Sequence, residues 1–167
     1  MIHMMTRVAA IAGAVALGFA AWSIPVESVR AESLSHFAGN WTGAGTITLQ
    51  SGTKERIRCR GNYTVSADGN ALRLALKCAS DSYNFELQSE IVSDGRNVSG
   101  TWIEATRQVN GSMTGRMVGN RIDATANSPN FNATLALTTR GNSQSVLIRS
   151  PGSEMSEVAI SLTRGGR

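Results

Sequence analysis
From Phe37 onward, apolar and polar residues alternate in short runs with a period of two. Pairs of turn-forming residues interrupt the runs at Ser51-Gly52, Asp68-Gly69, Asp94-Gly95, Gly119-Asn120, Gly141-Asn142 and Pro151-Gly152. A period of two belongs to strands with one face buried, whereas helices would show 3.6. Turn pairs at this spacing predict an all-β chain of successive antiparallel hairpins.

Each hairpin can be tested by folding the sequence at its turn. With Asp68-Gly69 at the centre, Val65 faces Leu72, Tyr63 faces Leu74, Gly61 faces Leu76 and Cys59 faces Cys78. One face is then apolar, and the other carries Arg56, Arg58, Arg60, Thr64, Arg73 and Lys77. A slip of one residue would mix the faces, so the pattern itself sets the register. A strict two-residue turn would make Cys59–Cys78 a hydrogen-bonded pair; a four-residue loop, Ala67 to Asn70, would make it the closer, non-hydrogen-bonded type.

The same folding pairs Met117 with Ile122, Gly115 with Ala124 and Arg116 with Asp123 around Gly119-Asn120. It pairs Leu137 with Val146 and Leu135 with Ile148 around Gly141-Asn142. Around Asp94-Gly95 it sets Ile91 against Val98, Leu87 against Trp102 and Phe85 against Glu104. The expected fold is an antiparallel up-and-down meander of 8–10 strands, closing into a barrel because closure removes exposed edges.

The first residues carry a different pattern. Arg7 precedes an apolar run, "VAAIAGAVALGFAAW", and "VESVRA" supplies small or aliphatic residues at Val29 and Ala31. This reads as a signal peptide over 1–31, cut before Glu32, leaving a single domain over 32–167. The run is shorter than a membrane span needs, and no later segment could cross as a helix, so no transmembrane anchoring is expected. The protein is expected to be periplasmic or secreted. In that setting two facing cysteines, the only two in the chain, read as a disulfide. Zinc would need more Cys or His ligands than the chain offers beyond residue 31, where His36 is the only histidine.

The charge adds little. Sixteen Lys and Arg against twelve Asp and Glu leave +4, scattered rather than gathered into the patch that a nucleic-acid partner requires. An outer-membrane barrel fits the length but not the composition, since one strand face is rich in Arg, Asn, Ser and Thr. There is no Gly-rich phosphate loop, no G-x-S-x-G and no H-E-x-x-H. No enzyme activity, cofactor or metal is expected.

Extending the inward phase to both ends places Phe37, Gly39, Trp41, Gly43, Ile47 and Leu49 on one face of the first strand. Val158, Ile160, Leu162 and Arg164 lie on the matching face of the last. The stretch "FAGNW" (37–41), with Arg164 near the chain end, resembles the calycin signature of lipocalins, fatty-acid-binding proteins and avidins. That resemblance implies a Trp closing the barrel base and an Arg from the last strand packed over it. It also implies a small apolar or amphipathic ligand. The segments "ERIRCR", "CASDSY" and "GTWIE" resemble those of small exported proteobacterial proteins of unassigned function.

Trp41, Tyr63, Phe85, Trp102 and Phe131 are the candidate cavity-lining residues, with Glu104 and Arg164 orienting polar ends. Glu104 shares the inward phase with Trp102, and an inward carboxylate is costly unless paired. It is either a ligand-facing acid or a strand-end residue at the barrel mouth, and a Glu104–Arg164 pair suits both. Arg56, Arg58, Arg60, Arg73 and Lys77 form a basic outer face that could meet an acidic protein or other polyanion. Two functional readings therefore stay open: non-enzymatic binding of a small ligand, or an interaction module of the cell envelope, such as a hydrolase inhibitor, working through that basic face.

Overall fold
A computed structural model describes residues 32–165. The proposed signal peptide lies outside them. Ten antiparallel strands follow a short 3-10 turn, Leu34–Phe37. They are β1 (Gly39–Leu49), β2 (Lys54–Val65), β3 (Ala71–Ala79), β4 (Asn84–Asp94), β5 (Asn97–Glu104), β6 (Val109–Val118), β7 (Arg121–Ser128), β8 (Phe131–Arg140), β9 (Ser143–Arg149) and β10 (Met155–Arg164). Each strand pairs with its neighbours in sequence, and β1 pairs with β10 to close the barrel. Among the described residues, no helix is long and apolar enough to cross a membrane.

The alternating pattern is what aims the side chains. Ile57, Cys59 and Tyr63 of β2 and Leu72, Leu74, Leu76 and Cys78 of β3 are all buried inside. Inward glycines let adjacent backbones approach: a Cβ on Gly43 would collide with the Ser161 carbonyl, and one on Gly111 with that of Asn127. Side chains there would prevent the strands from coiling tightly enough to close.

Cys59 and Cys78 form the disulfide and face one another across β2 and β3. Their Cα atoms are 4.1 Å apart, the short spacing of a non-hydrogen-bonded pair. The turn explains this. Ser66 donates its N–H to the Ala71 carbonyl at 2.9 Å, leaving a four-residue loop, 67–70, and fixing the alternation down to the cysteines.

The pairings read around Gly119-Asn120 and Gly141-Asn142 occur as expected. The β4–β5 register does not. Asp94 pairs with Asn97, so the turn is Gly95-Arg96, and Leu87 faces Glu104 while Ser89 faces Trp102. Ile91 faces Gly100, and Phe85 lies against Cys78 of β3. The cause is turn chemistry: Gly95, Gly119 and Gly141 all have positive φ (62°, 58° and 57°), and each occupies the first of two central positions. A two-residue hairpin with positive φ at that position alone demands Gly there. The register moved by an even number, so every inward residue stays inward.

The two ends of the barrel differ. At one end the turns are linked in series: Ser93 donates to the Asn70 carbonyl, Met117 to Arg96, Thr139 to Asn120 and Arg164 to Asn142, all at 2.8–2.9 Å. The 3-10 turn plugs this end, with Leu34 and Phe37 wholly buried and Leu34 N–H bonded to the Gly69 carbonyl. Longer loops, including 105–108 and 150–154, surround the other end.

Candidate functional site: an apolar cavity open at one end
The interior holds a cavity of about 280 Å³ whose lining is almost wholly apolar. Leu74, Leu76, Leu135, Val146 and Ile148 are among its walls, each supplied by the inward phase of a strand. It reaches solvent at the end opposite the plug, where exposed Arg107 and Glu154 join the lining. The barrel is therefore capped at one end, hollow in the middle and open at the other.

Five of the seven candidate ligand-facing residues come together here: Tyr63, Phe85, Trp102, Glu104 and Phe131. Trp102 and Phe131 pack with ring centroids 5.5 Å apart, tilted by 56°. The Trp102 indole N–H donates to the Ser112 carbonyl at 3.0 Å, which fixes the ring.

Trp41 and Arg164 do not line the cavity; they build the plug. Trp41 donates its indole N–H to the Phe37 carbonyl at 3.0 Å. The Arg164 guanidinium carbon sits 4.6 Å from the centre of the Trp41 ring, and one terminal nitrogen donates to the His36 carbonyl at 2.8 Å. A guanidinium so placed is held by cation–π attraction and a backbone acceptor together. The last strand thus ties the 3-10 turn to the first.

Glu104 and Arg164 lie at opposite ends of the barrel and do not pair. Barrel strands are tilted, so a row of paired residues climbs along the axis. From Trp41 it passes Gly61, Leu76 and Leu87 before reaching Glu104 at the mouth. There the Glu104 carboxylate accepts backbone N–H groups from Glu86 (2.9 Å), Thr106 (3.2 Å) and Arg107 (2.7 Å). Burial opposes its ionisation most strongly, but the bonds from Glu86, Arg107 and Thr106 together outweigh it and lower the pKa. Arg107 stands 3.6 Å away and also donates to the Asn84 carbonyl. Glu104 is therefore the staple of the β5–β6 turn, where Gln108 adopts a left-handed φ of 55°.

Tyr63 lies at the far end of the cavity, near the plug. Its ring is 6.5 Å from Trp41 and leans over Gly61, where an added Cβ would come within 2.9 Å of it. Its hydroxyl is buried and has no hydrogen-bond partner among the described residues. Burial raises the phenol's pKa, so it keeps its proton.

Apart from Glu104, the mouth residues escaped sequence reasoning. Glu154 accepts a hydrogen bond from the Tyr83 hydroxyl at 3.1 Å, joining two loops at the rim. Ser150, Ser153 and Met155 also contribute to the lining. All sit in or beside loops, where alternation stops and the sequence carries no phase; only the "SPGS" turn marked the place.

The basic outer face is divided. Arg73 pairs with Glu90 and Lys77 with Glu86, each at 3.0 Å across β3 and β4. Among the described residues no ion pair involves Arg56, Arg58 or Arg60, which project from β2 beside Thr46, Ala44 and Thr42 of β1.

No family model matches the chain, and no curated protein matches it by sequence. Its fold has solved counterparts. The structure of Rv2717c from M. tuberculosis superposes with a TM-score of 0.60 at 14% identity, covering 80% of this chain and 95% of that one. An S-type phycobiliprotein lyase, CPES, from Guillardia theta superposes at 0.53 and 10% identity, covering 80% and 91%. The chain is a ten-stranded antiparallel barrel of the same general form. At these identities the likeness is one of fold.

Proposed function
We propose that this protein is an exported, calycin-like barrel that binds a small apolar or amphipathic molecule in its interior without transforming it. The cavity of about 280 Å³, apolar inside and with Glu104, Arg107 and Glu154 at its mouth, is the observation that carries the reading. Burying a ligand's hydrocarbon surface in such a space contributes roughly 25 cal/mol for each Å² removed from water. Arg164 over Trp41 supports the calycin-like assignment, being the contact that the "FAGNW" resemblance implies. The disulfide and the leader-like segment 1–31 support an oxidising compartment, periplasmic or secreted.

A second reading has one observation in its favour. Arg56, Arg58 and Arg60 form a row of exposed cations without carboxylate partners among the described residues, as a surface recognising an acidic envelope protein would. Native mass spectrometry of the protein recovered from envelope extract separates the two. The cavity reading predicts a retained small mass, released on unfolding and unaffected by the R56E/R58E/R60E variant. A retained protein mass that this variant loses, with no small molecule, would transfer the function to the basic row.

A further inference from the structure
The outer wall carries one strongly charged line. Arg56, Arg58 and Arg60 hold alternate outward positions of β2 and are exposed, while Ile57 and Cys59 between them are buried. Alternate residues of a strand stand roughly 7 Å apart, so the three side chains leave the wall in single file. Nothing across the sheet neutralises them. Their β1 neighbours are Thr46, Ala44 and Thr42; on β3, Arg58 meets Ala79 and Arg60 meets Lys77. Glu86 and Glu90 of β4 are taken by Lys77 and Arg73. Glu55, the adjoining residue, accepts the Ser82 N–H instead. Like charges directly opposite one another destabilise a sheet, so the row persists against its own repulsion.

Beside the row lies a floor of small side chains. Thr42, Ala44 and Thr46 of β1 pair with Thr163, Ser161 and Ala159 of β10. Ala44, Thr46, Ala159 and Ser161 line one shallow depression. The carboxylate on this floor, Glu157, is bonded to Arg149 at 2.9 Å. A linear partner can lie along β1 with the arginines down one side. Because β1 pairs with both β2 and β10, the wall offers no free edge, and the partner's backbone cannot extend the sheet. Recognition falls to side chains. Arginine forks match carboxylates and phosphates. Among the described residues, however, β1, β2 and β10 turn no aromatic side chain outward on which a nucleic-acid base could stack. An extended peptide repeats its same-side residues every 7 Å or so, roughly the spacing of the row.

We propose that Arg56, Arg58 and Arg60 form a docking strip for an extended acidic peptide segment in which Asp or Glu alternates with uncharged residues. This rests on the second reading above and gives its acidic partner a conformation and a charge spacing. The cavity keeps its own ligand.

Two labelled peptides of one composition test it. Acetyl-TTETETETTT-amide carries carboxylates at every second position, and acetyl-TETTETTETT-amide carries them at every third. Threonine disfavours helix and suits an extended chain, so the spacing is what differs. In fluorescence anisotropy at low salt, the alternating peptide should bind wild type about fivefold more tightly, since it sets a carboxylate against each arginine. R56Q/R58Q/R60Q should weaken binding of the alternating peptide by about tenfold or more. It should also unfold in urea no earlier than wild type, because the substitutions remove repulsion. Near-ultraviolet circular dichroism and uptake of the neutral dye N-phenyl-1-naphthylamine report that the variant is folded. Equal binding of the two peptides, lost in the variant, would overturn the spacing and leave the acidic-partner reading intact. So would no binding of either peptide, or dextran sulfate outcompeting the alternating peptide at equal charge. Binding that survives in the variant, or earlier unfolding of the variant, would remove the row from both readings.

Discussion
Glu104 shows how one side chain can mislead by its phase and still be legible by its chemistry. Its inward position beside Trp102 raised two alternatives, and the structure gives the mouth position, with the carboxylate spent on three backbone N–H groups. Its folded-state pKa lies below the ordinary value of 4.5. A lowered carboxyl pKa contributes stability that is fully present above the unfolded value and disappears as pH falls through the folded one. Glu104→Gln should therefore cost about 1 kcal/mol near neutral pH, and the gap from wild type should close on acidification below about pH 4. Urea unfolding across pH 3–7 checks this; a gap that stays constant over that range would show that the charge is not what the turn uses. Arg164, the other candidate for orienting polar ends, is equally committed, but to Trp41 and His36 at the plugged end.

At the scale of elements, the stapled β2–β3 hairpin is the firmest unit. Its register, its disulfide and its inward set were all readable by folding the chain at Asp68-Gly69, because a one-residue slip would have mixed Arg58 and Lys77 with Leu74 and Leu76. The bridge spans a separation of 19 residues, and cross-linking a loop of that size stabilises by about 3 kcal/mol in the chain-entropy model. Cys59→Ala/Cys78→Ala should lower the unfolding free energy by about that amount, measured by urea denaturation under oxidising conditions. Treating wild type with reductant should produce the same loss, and no difference between the three samples would contradict the pairing as a stabilising element. The β4–β5 hairpin was read less well. Asp94-Gly95 resembles a favoured turn pair, and the stronger rule, Gly at the first central position, was visible only by comparison with Gly119 and Gly141. Alternation fixes which side a residue faces and says little about how far along its neighbour it sits.

Over the whole molecule, the barrel is a vessel with a floor. The aromatic residues divide by depth: Trp41 and Phe37 seal the base, Tyr63 stands just above it, and Trp102 with Phe131 packs in the wall. For Trp41 the calycin resemblance implied the base; for the others the sequence was silent, because all of these residues share the inward phase and the axial position follows from strand tilt. Of the rim, Glu104 was marked by its phase, while Arg107 and Glu154 were not legible because they lie outside strands. The hollow itself comes from small inward residues: Ala126 and Ala133 face the cavity from β7 and β8, where a packed barrel would carry larger side chains. The central claim is that this interior is open space. Ala133, only 4% exposed and part of the lining, is the place to ask. In a filled core, enlarging it would cost about 1–3 kcal/mol by overpacking. Urea unfolding of Ala133→Leu is the direct measurement: the account predicts stability equal to or above wild type, with dye uptake reduced, and a loss of more than about 1 kcal/mol would contradict a hollow barrel.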